Sequence, residues 1–266
     1  MSEQFFKKKK SLGQNFLKSK SAIRSMVLSA EITLGETVLE IGPGKGVLTE
    51  ALLEAGAKVI AVEKDDRLIP ELEIRFQKEI ESKQCILIHG DILDLTIEEI
   101  LGKTPYKVVA NIPYYITGIL FQTLLEHSRP PEHIVVLVQK EVARRIVAHD
   151  KKESILSLSI KAYGTPKLIT TVSRKMFSPQ PNVDSAIISI SHITKNFFNH
   201  FSEETFFTWI RAGFAQKRKK LIRNLEVVEQ KETLEKIFSA LHIDINTRAE
   251  KVDISTWKQI LLNLYS

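Results

Sequence analysis

Residues 37–63, TVLEIGPGKGVLTEALLEAGAKVIAVE, read as strand, glycine turn, helix and strand in succession. Thr37–Ile41 and Lys58–Glu63 are short apolar runs of the kind a parallel sheet buries on both faces. Gly46–Ala55 reads as the helix between them. The same alternation extends outward. A helix is expected over 66–81 after the turn Lys64-Asp65-Asp66, then a strand at Cys85–His89 ending in Gly90-Asp91. Lys107–Ala110 and His133–Val138 are further strands, with helices at 117–127, 140–149 and 154–163. Alternating β and α units imply an α/β fold, a mostly parallel sheet with helices on both faces. Lys167–Val172 and Ala186–Ser191 are joined by a proline-rich loop at 177–183, with no full helical crossover, and predict an antiparallel edge hairpin. Upstream, 21–31 is expected to be a helix with Ile23, Met26, Val27 and Ala30 on one face. After about 195 four helical stretches follow, near 203–215, 217–227, 230–241 and 255–265, with no strand. The expected organisation is a basic arm at 1–20, an α/β domain at 21–195 and a small C-terminal all-α domain at 196–266.

Composition narrows the function classes. Of 266 residues, 43% are hydrophobic and 26% charged, ordinary for a globular enzyme. The single cysteine, Cys85, excludes an intramolecular disulfide and a cysteine metal site. The charged N-terminus lacks the apolar stretch of a secretory signal, and no apolar run reaches the length of a membrane span. A cytoplasmic monomer without membrane contact is expected. The net charge of +6 sits at the two ends. Residues 1–20 hold six lysines against Glu3, and residues 201–266 hold eleven Lys/Arg against nine Asp/Glu. Lys7 and Lys8 in the arm, with Arg211, Arg218, Lys219, Lys220 and Arg223 in the helical domain, are the candidate phosphate contacts. At helical spacing 211, 218 and 222–223 share a face.

Ligands of open α/β sheets bind at the carboxyl ends of the strands. Gly42, Gly44 and Gly46 follow the first strand of the alternation and let a ligand approach backbone N–H groups closely. The dinucleotide fingerprint requires glycine at 47, where Val47 stands, so a nicotinamide dehydrogenase is disfavoured. Glu63 ends the next strand, 21 residues after Gly42, where an acidic residue accepts both ribose hydroxyls. Asp91 ends the third and can take an adenine amine. Asn111-Ile112-Pro113-Tyr114 ends the fourth. These groups suit methylation of a planar exocyclic amine, a poor nucleophile because its lone pair is delocalised into the ring. The Asn111 carbonyl and a backbone carbonyl at Pro113 can accept its N–H bonds, and Tyr114 can stack on the ring. Phe177 is a candidate second wall of that base slot. The methyl donor needs no metal, and no general base is nominated; His89 and His133 read as structural.

Glu-Ile-Gly-Pro-Gly-Lys-Gly (40–46), Val-Glu-Lys-Asp (62–65), Gly-Asp-Ile-Leu (90–93) and Asn-Ile-Pro-Tyr-Tyr (111–115) resemble class I S-adenosylmethionine-dependent methyltransferases acting on adenine N6. Gln14-Asn15-Phe16-Leu17, the run 138–145, Phe177–Ser185 and Phe214–Leu221 are similar to the small-subunit ribosomal RNA adenine dimethyltransferases, essentially end to end. The resemblance implies a Rossmann-like class I methyltransferase sheet, and donor contacts at Asn15, Leu17, Gly42, Glu63, Asp91 and Asn111, with Gly44 in the same turn. It implies methylation of N6 of two adjacent adenosines near the 3′ end of small-subunit (16S) ribosomal RNA. Lys151-Lys152-Glu153-Ser154 departs from the family's aromatic-Gly-Arg/Lys run and leaves the role of that loop open. Two alternatives share the fold: a large-subunit RNA dimethyltransferase of the macrolide-resistance type, and a non-catalytic RNA-binding or transcription factor.

Overall fold

The computed structural model describes residues 15–265. Lys7, Lys8 and Gln14 lie outside the described residues. The chain opens with β1 (Phe16–Leu17) and α1 (Lys20–Ser29), then alternates: β2 (Thr37–Ile41), α2 (Val47–Glu54), β3 (Lys58–Glu63), α3 (Ile69–Arg75), α4 (Gln77–Glu81), β4 (Cys85–His89), α5 (Ile97–Leu101), β5 (Tyr106–Asn111), α6 (Thr117–Glu126) and β6 (His133–Gln139). It continues through α7 (Lys140–Ile146), α8 (Ile155–Lys161), β7 (Thr165–Val172), β8 (Phe177–Ser178) and β9 (Ser185–Ser191). The remainder is helical: α9 (Glu203–Phe214), α10 (Leu221–Leu225), α11 (Lys231–Ala240) and α12 (Ile254–Tyr265).

Seven strands form one sheet in the order β4-β3-β2-β5-β6-β9-β7. The pairs β2–β3, β3–β4, β2–β5 and β5–β6 are parallel. β9 runs antiparallel to β6, with Val136 opposite Ile188, and β7 closes that edge. The order reverses between β2 and β5, which opens a crevice beyond their carboxyl ends. On one face, Ala22, Ile23 and Met26 of α1 and Leu48 and Leu52 of α2 pack on Val38, Val59, Val109 and Val135. Beside them, Leu68, Leu72 and Phe76 gather around Cys85, which stands opposite Val59 in the β3–β4 ladder.

Three sequence expectations are corrected. The arm expected over 1–20 gives way to regular structure before residue 20, because Phe16–Leu17 pairs antiparallel with Phe177–Ser178 and α1 begins at Lys20. The helix expected over 66–81 is two helices. Phe76 leaves the helical region (φ −110°, ψ 24°) to put its ring in the small core. The helix expected over 217–227 forms only at Leu221–Leu225, and 215–220 is a turn. There the buried Asn224 amide donates to the carbonyls of Gly213 (2.6 Å) and Gln216 (3.1 Å), which holds the turn out of a helix. Arg211 and Lys217–Lys220 therefore do not share one continuous helix face.

The described residues divide into two compact units. One contains the chain up to Ala143 and Lys167–Ser191. The other joins Arg144–Pro166 to His192–Ser266. Aromatic contacts explain why α8 and the end of its loop go with the C-terminal helices. The Tyr163 ring lies 5.0 Å from Phe198, and its hydroxyl donates to Glu203 at 2.8 Å. The 151–154 loop is fastened within this unit. Glu153 pairs with Lys161 at 2.5 Å, Lys152 with Glu250 at 3.5 Å, and Ser154 caps α8.

Candidate active site

A cleft of about 1050 Å³, open to solvent, lies at the carboxyl ends of β2, β3 and β5. Asn15, Leu17, Gly42, Gly44, Glu63, Asp91, Asn111, Pro113 and Tyr114 all line it. The strand register explains most of this convergence: the residues from Gly42 to Tyr114 end, or closely follow, neighbouring parallel strands, whereas Asn15 and Leu17 come from the N-terminal segment paired with β8.

The glycine turn is fixed by local sterics. Gly46 sits at φ +76°, and an added Cβ would lie 2.5 Å from the Phe76 ring, so only glycine fits. Gly44, at φ +61°, turns its N–H toward Glu63 Oε2 at 3.0 Å. Glu63 Oε1 accepts the Asp65 N–H at 2.8 Å. One carboxylate thus ties β3 to the turn after β2 and faces the cleft. Burial pushes the Glu63 carboxyl above the usual range, against the two backbone donors that favour its charged form. Asp91 pairs with Lys64 and accepts the Leu93 N–H at 3.1 Å. Its remaining desolvation is outweighed by these partners, which hold it below the usual carboxylate range.

Asn111 is anchored in one orientation. Its Nδ2 donates to the Asn15 carbonyl at 3.1 Å. A carbonyl accepts only from the NH2 end, so one of its two N–H bonds is made to the chain and Oδ1 is left for a donor in the cleft. The Pro113 carbonyl accepts the Ile116 N–H at 3.2 Å and keeps its second lone pair. Tyr114 is half-buried, and its hydroxyl meets Ser185 Oγ at 2.6 Å. That bond holds the ring at the cleft wall. Burial pushes the Tyr114 phenol up, so it is neutral at physiological pH.

Phe177 is not brought to the cleft. It is 3% exposed, opposite Leu17 in the β1–β8 pair, and belongs to the core. Its motif acts instead by pinning the Asn15–Leu17 segment over the turn. His133 is structural, bonded through Nε2 to Ser189 Oγ at 2.6 Å. The cleft adds residues that the strand-end logic passed over: Phe16, whose ring lies 3.0 Å from where a Gly44 Cβ would be, Ser185 behind Tyr114, and Glu40 and Lys64. The Ser185 role has no local mark in the sequence, because it depends on the long-range β6–β9 register.

The site fits a nucleoside sulfonium. Its glycine turn leaves open space over Gly42, two carboxylates stand at successive strand ends, and among the described residues a buried Glu40 oxygen lacks a partner. Tyr114→Phe is expected to weaken transfer by about three- to tenfold, because the lost hydroxyl leaves the fully buried Ser185 without that bond. If the ring carries the base, Tyr114→Ala, which removes the whole ring, should cost at least ten times more than Tyr114→Phe in the KM for RNA. Equal effects from the two variants would take the ring out of base capture.

Comparison with known proteins agrees with this geometry. Residues 5–265 match the family described as ribosomal RNA adenine dimethylase. A ribosomal RNA small subunit methyltransferase A from Dehalococcoides mccartyi is 42% identical over 259 residues, covering 96% of this chain and 88% of that protein. A dimethyladenosine transferase from Plasmodium falciparum matches with a TM-score of 0.80 at 25% identity, over 94% of this chain and 97% of that one. The 23S rRNA methyltransferase ErmE matches with a TM-score of 0.77 at 22% identity, over 95% and 100%, a likeness of fold alone. With a family match that runs from residue 5 to 265 and a class I cleft at the strand ends, the chain belongs to the ribosomal RNA adenine dimethylase family.

Proposed function

We propose that this protein transfers methyl groups from S-adenosylmethionine to N6 of two adjacent adenosines near the 3′ end of small-subunit ribosomal RNA. The orientation of Asn111, donor end bound to Asn15 and carbonyl end left for the cleft, carries the reading. In the proposed site Glu63 holds the ribose, Asp91 the adenine amine, and the Asn15–Leu17 segment covers the donor. When bound, the donor supplies a methyl on cationic sulfur with a neutral thioether as leaving group. Asn111 Oδ1 and the Pro113 carbonyl accept the target N–H bonds and localise the nitrogen lone pair. Tyr114 holds the ring. The new N–C bond forms as the C–S bond breaks, and the product proton leaves to water. Positioning and fixed dipoles supply the acceleration.

The target base is unpaired or flipped to enter such a slot. The N-terminal lysines Lys7 and Lys8 and the turn 215–220 are the proposed phosphate contacts. Arg211, Arg218, Lys219, Lys220 and Arg223 are all exposed, although Arg223 is shared with Glu226 at 3.1 Å. Charge reversal at 218–220 should weaken RNA binding and lower its log–log salt slope by about 0.7 per lost contact, with donor affinity unchanged. An unaltered affinity and slope would leave the cluster a solvated turn.

A small-subunit rather than large-subunit target is favoured by the 42% identity to a small-subunit enzyme. Action in the cytoplasm as a monomer is part of the proposal; among the described residues no helix is long and apolar enough to cross a membrane. The deciding experiment is mapping of radiolabelled methyl groups after incubating ribosomal subunits from a strain lacking this protein. Label at two adjacent small-subunit adenosines is expected. Label in large-subunit RNA, or none, overturns the proposal.

A further inference from the structure

Glu40 is the last buried carboxylate before the glycine turn, and no step described above uses it. It is 1% exposed, yet it lines the cleft, and among the described residues its Oε2 has no hydrogen-bond partner. An isolated buried carboxylate is among the least favourable groups a core can hold. Its neighbours do not relieve it. Thr49 of α2 approaches and favours the charged form, but less than burial opposes it, and among the described residues Thr49 Oγ1 makes no hydrogen bond of good geometry. Glu63 of β3 repels it. Cys85 of β4 is pushed up to about 11, by burial first and by Glu40 next. From β5 only the neutral Asn111 amide reaches the cleft. Among the described residues the cations around the turn are committed elsewhere: Lys64 to Asp91, Arg67 to Asp65, and Lys45 over the Phe16 ring at 5.9 Å. Burial, with the Glu63 charge adding to it, raises the Glu40 carboxyl to about 8.

We propose that Glu40 is a donor-binding residue that exchanges a proton for the donor's positive charge, being a carboxylic acid in the empty cleft and a carboxylate beside the bound sulfonium donor. This rests on the reading of the cleft as the S-adenosylmethionine site. The balance is simple. Donor binding releases the Glu40 proton to buffer. Transfer converts the sulfonium to a neutral thioether, the partner charge disappears, and the carboxylate takes a proton back as the product leaves. The device favours donor over product with no change in their shared nucleoside contacts, because only the donor brings the extra positive charge.

Titration calorimetry in two buffers of different ionisation enthalpy reads the proton directly. Wild-type protein at about pH 7 is expected to release on the order of one proton per S-adenosylmethionine bound, and distinctly less with S-adenosylhomocysteine. Its donor affinity should rise by up to about tenfold per pH unit from about pH 6 toward 8. Glu40→Gln keeps the side-chain size and should lose the Glu40-dependent release and that pH slope. Titration of the donor's own amine is common to both proteins, so the difference between them is the readout. A release that persists in Glu40→Gln, or buffer-independent heats in the wild type, overturns the proposal while the donor site stands. If Glu40→Gln fails to fold, the wild-type pair of ligands decides: equal release with donor and product overturns it. A donor that does not bind wild-type protein at all removes both readings.

Discussion

Asn111→Ala is expected to lower the single-turnover rate of methyl transfer by about a hundredfold or more at saturating donor, with the fold intact. Removing one preorganised acceptor that acts on the reacting group costs on the order of 3 kcal/mol. The amide is half-buried and, among the described residues, its side chain bonds to the Asn15 backbone rather than to a core group. The same bond makes the variant more informative than a simple deletion. Asn111→Asp keeps an acceptor but sets an oxygen against the Asn15 carbonyl at the position where Nδ2 now donates. Its side chain loses the anchor, and a rate at least about tenfold below wild type is expected even though an oxygen remains. Rates for Asn111→Ala within about threefold of wild type would mean that the target amine is held elsewhere.

The parallel sheet was readable from residues alone wherever strands are short apolar runs ending in a glycine or an acid. β2, β3 and β4 fall where Thr37–Ile41, Lys58–Glu63 and Cys85–His89 predict them. The cleft was readable for the same reason, because ligand-facing residues at parallel strand ends are marked by sequence position relative to the apolar run. What failed was tertiary. Phe177 opens a proline-rich loop and reads as a second wall of the base slot, but its pairing with Leu17 joins segments 160 residues apart and sends it into the core. The break in the basic helix depends on Asn224 reaching back to Gly213. α5 was missed although its capping box, Thr96 with Glu99, stands in the sequence. Its five residues give too few apolar positions for periodicity to show.

Glu63→Ala should lower affinity for S-adenosylhomocysteine by about ten- to a hundredfold, more than it slows a bound donor. Hydrogen bonds to a charged carboxylate contribute about 1.5–3 kcal/mol each, and the ribose would lose at least one. The carboxylate also supports the protein, since the Gly44 and Asp65 N–H groups both point at it. Glu63→Gln therefore does not act as a harmless isostere: its amide NH2 must face one of those two donors. It should fall near Glu63→Ala in affinity. Stability should move the other way from affinity at high pH. Glu63 and Glu40 both have folded-state carboxyls raised above their unfolded values, Glu40 to about 8. Folded protein then binds more protons than unfolded protein, so wild-type stability is full below the ordinary carboxylate range and falls as pH rises toward 8. Deleting Glu63 removes its own part of that loss and its repulsion of Glu40. The melting temperature of Glu63→Ala should accordingly fall less than that of wild type between about pH 5 and 8. Unchanged affinity for S-adenosylhomocysteine would remove Glu63 from the ribose site; an unchanged pH slope of melting would show that its carboxyl is solvated in the free cleft.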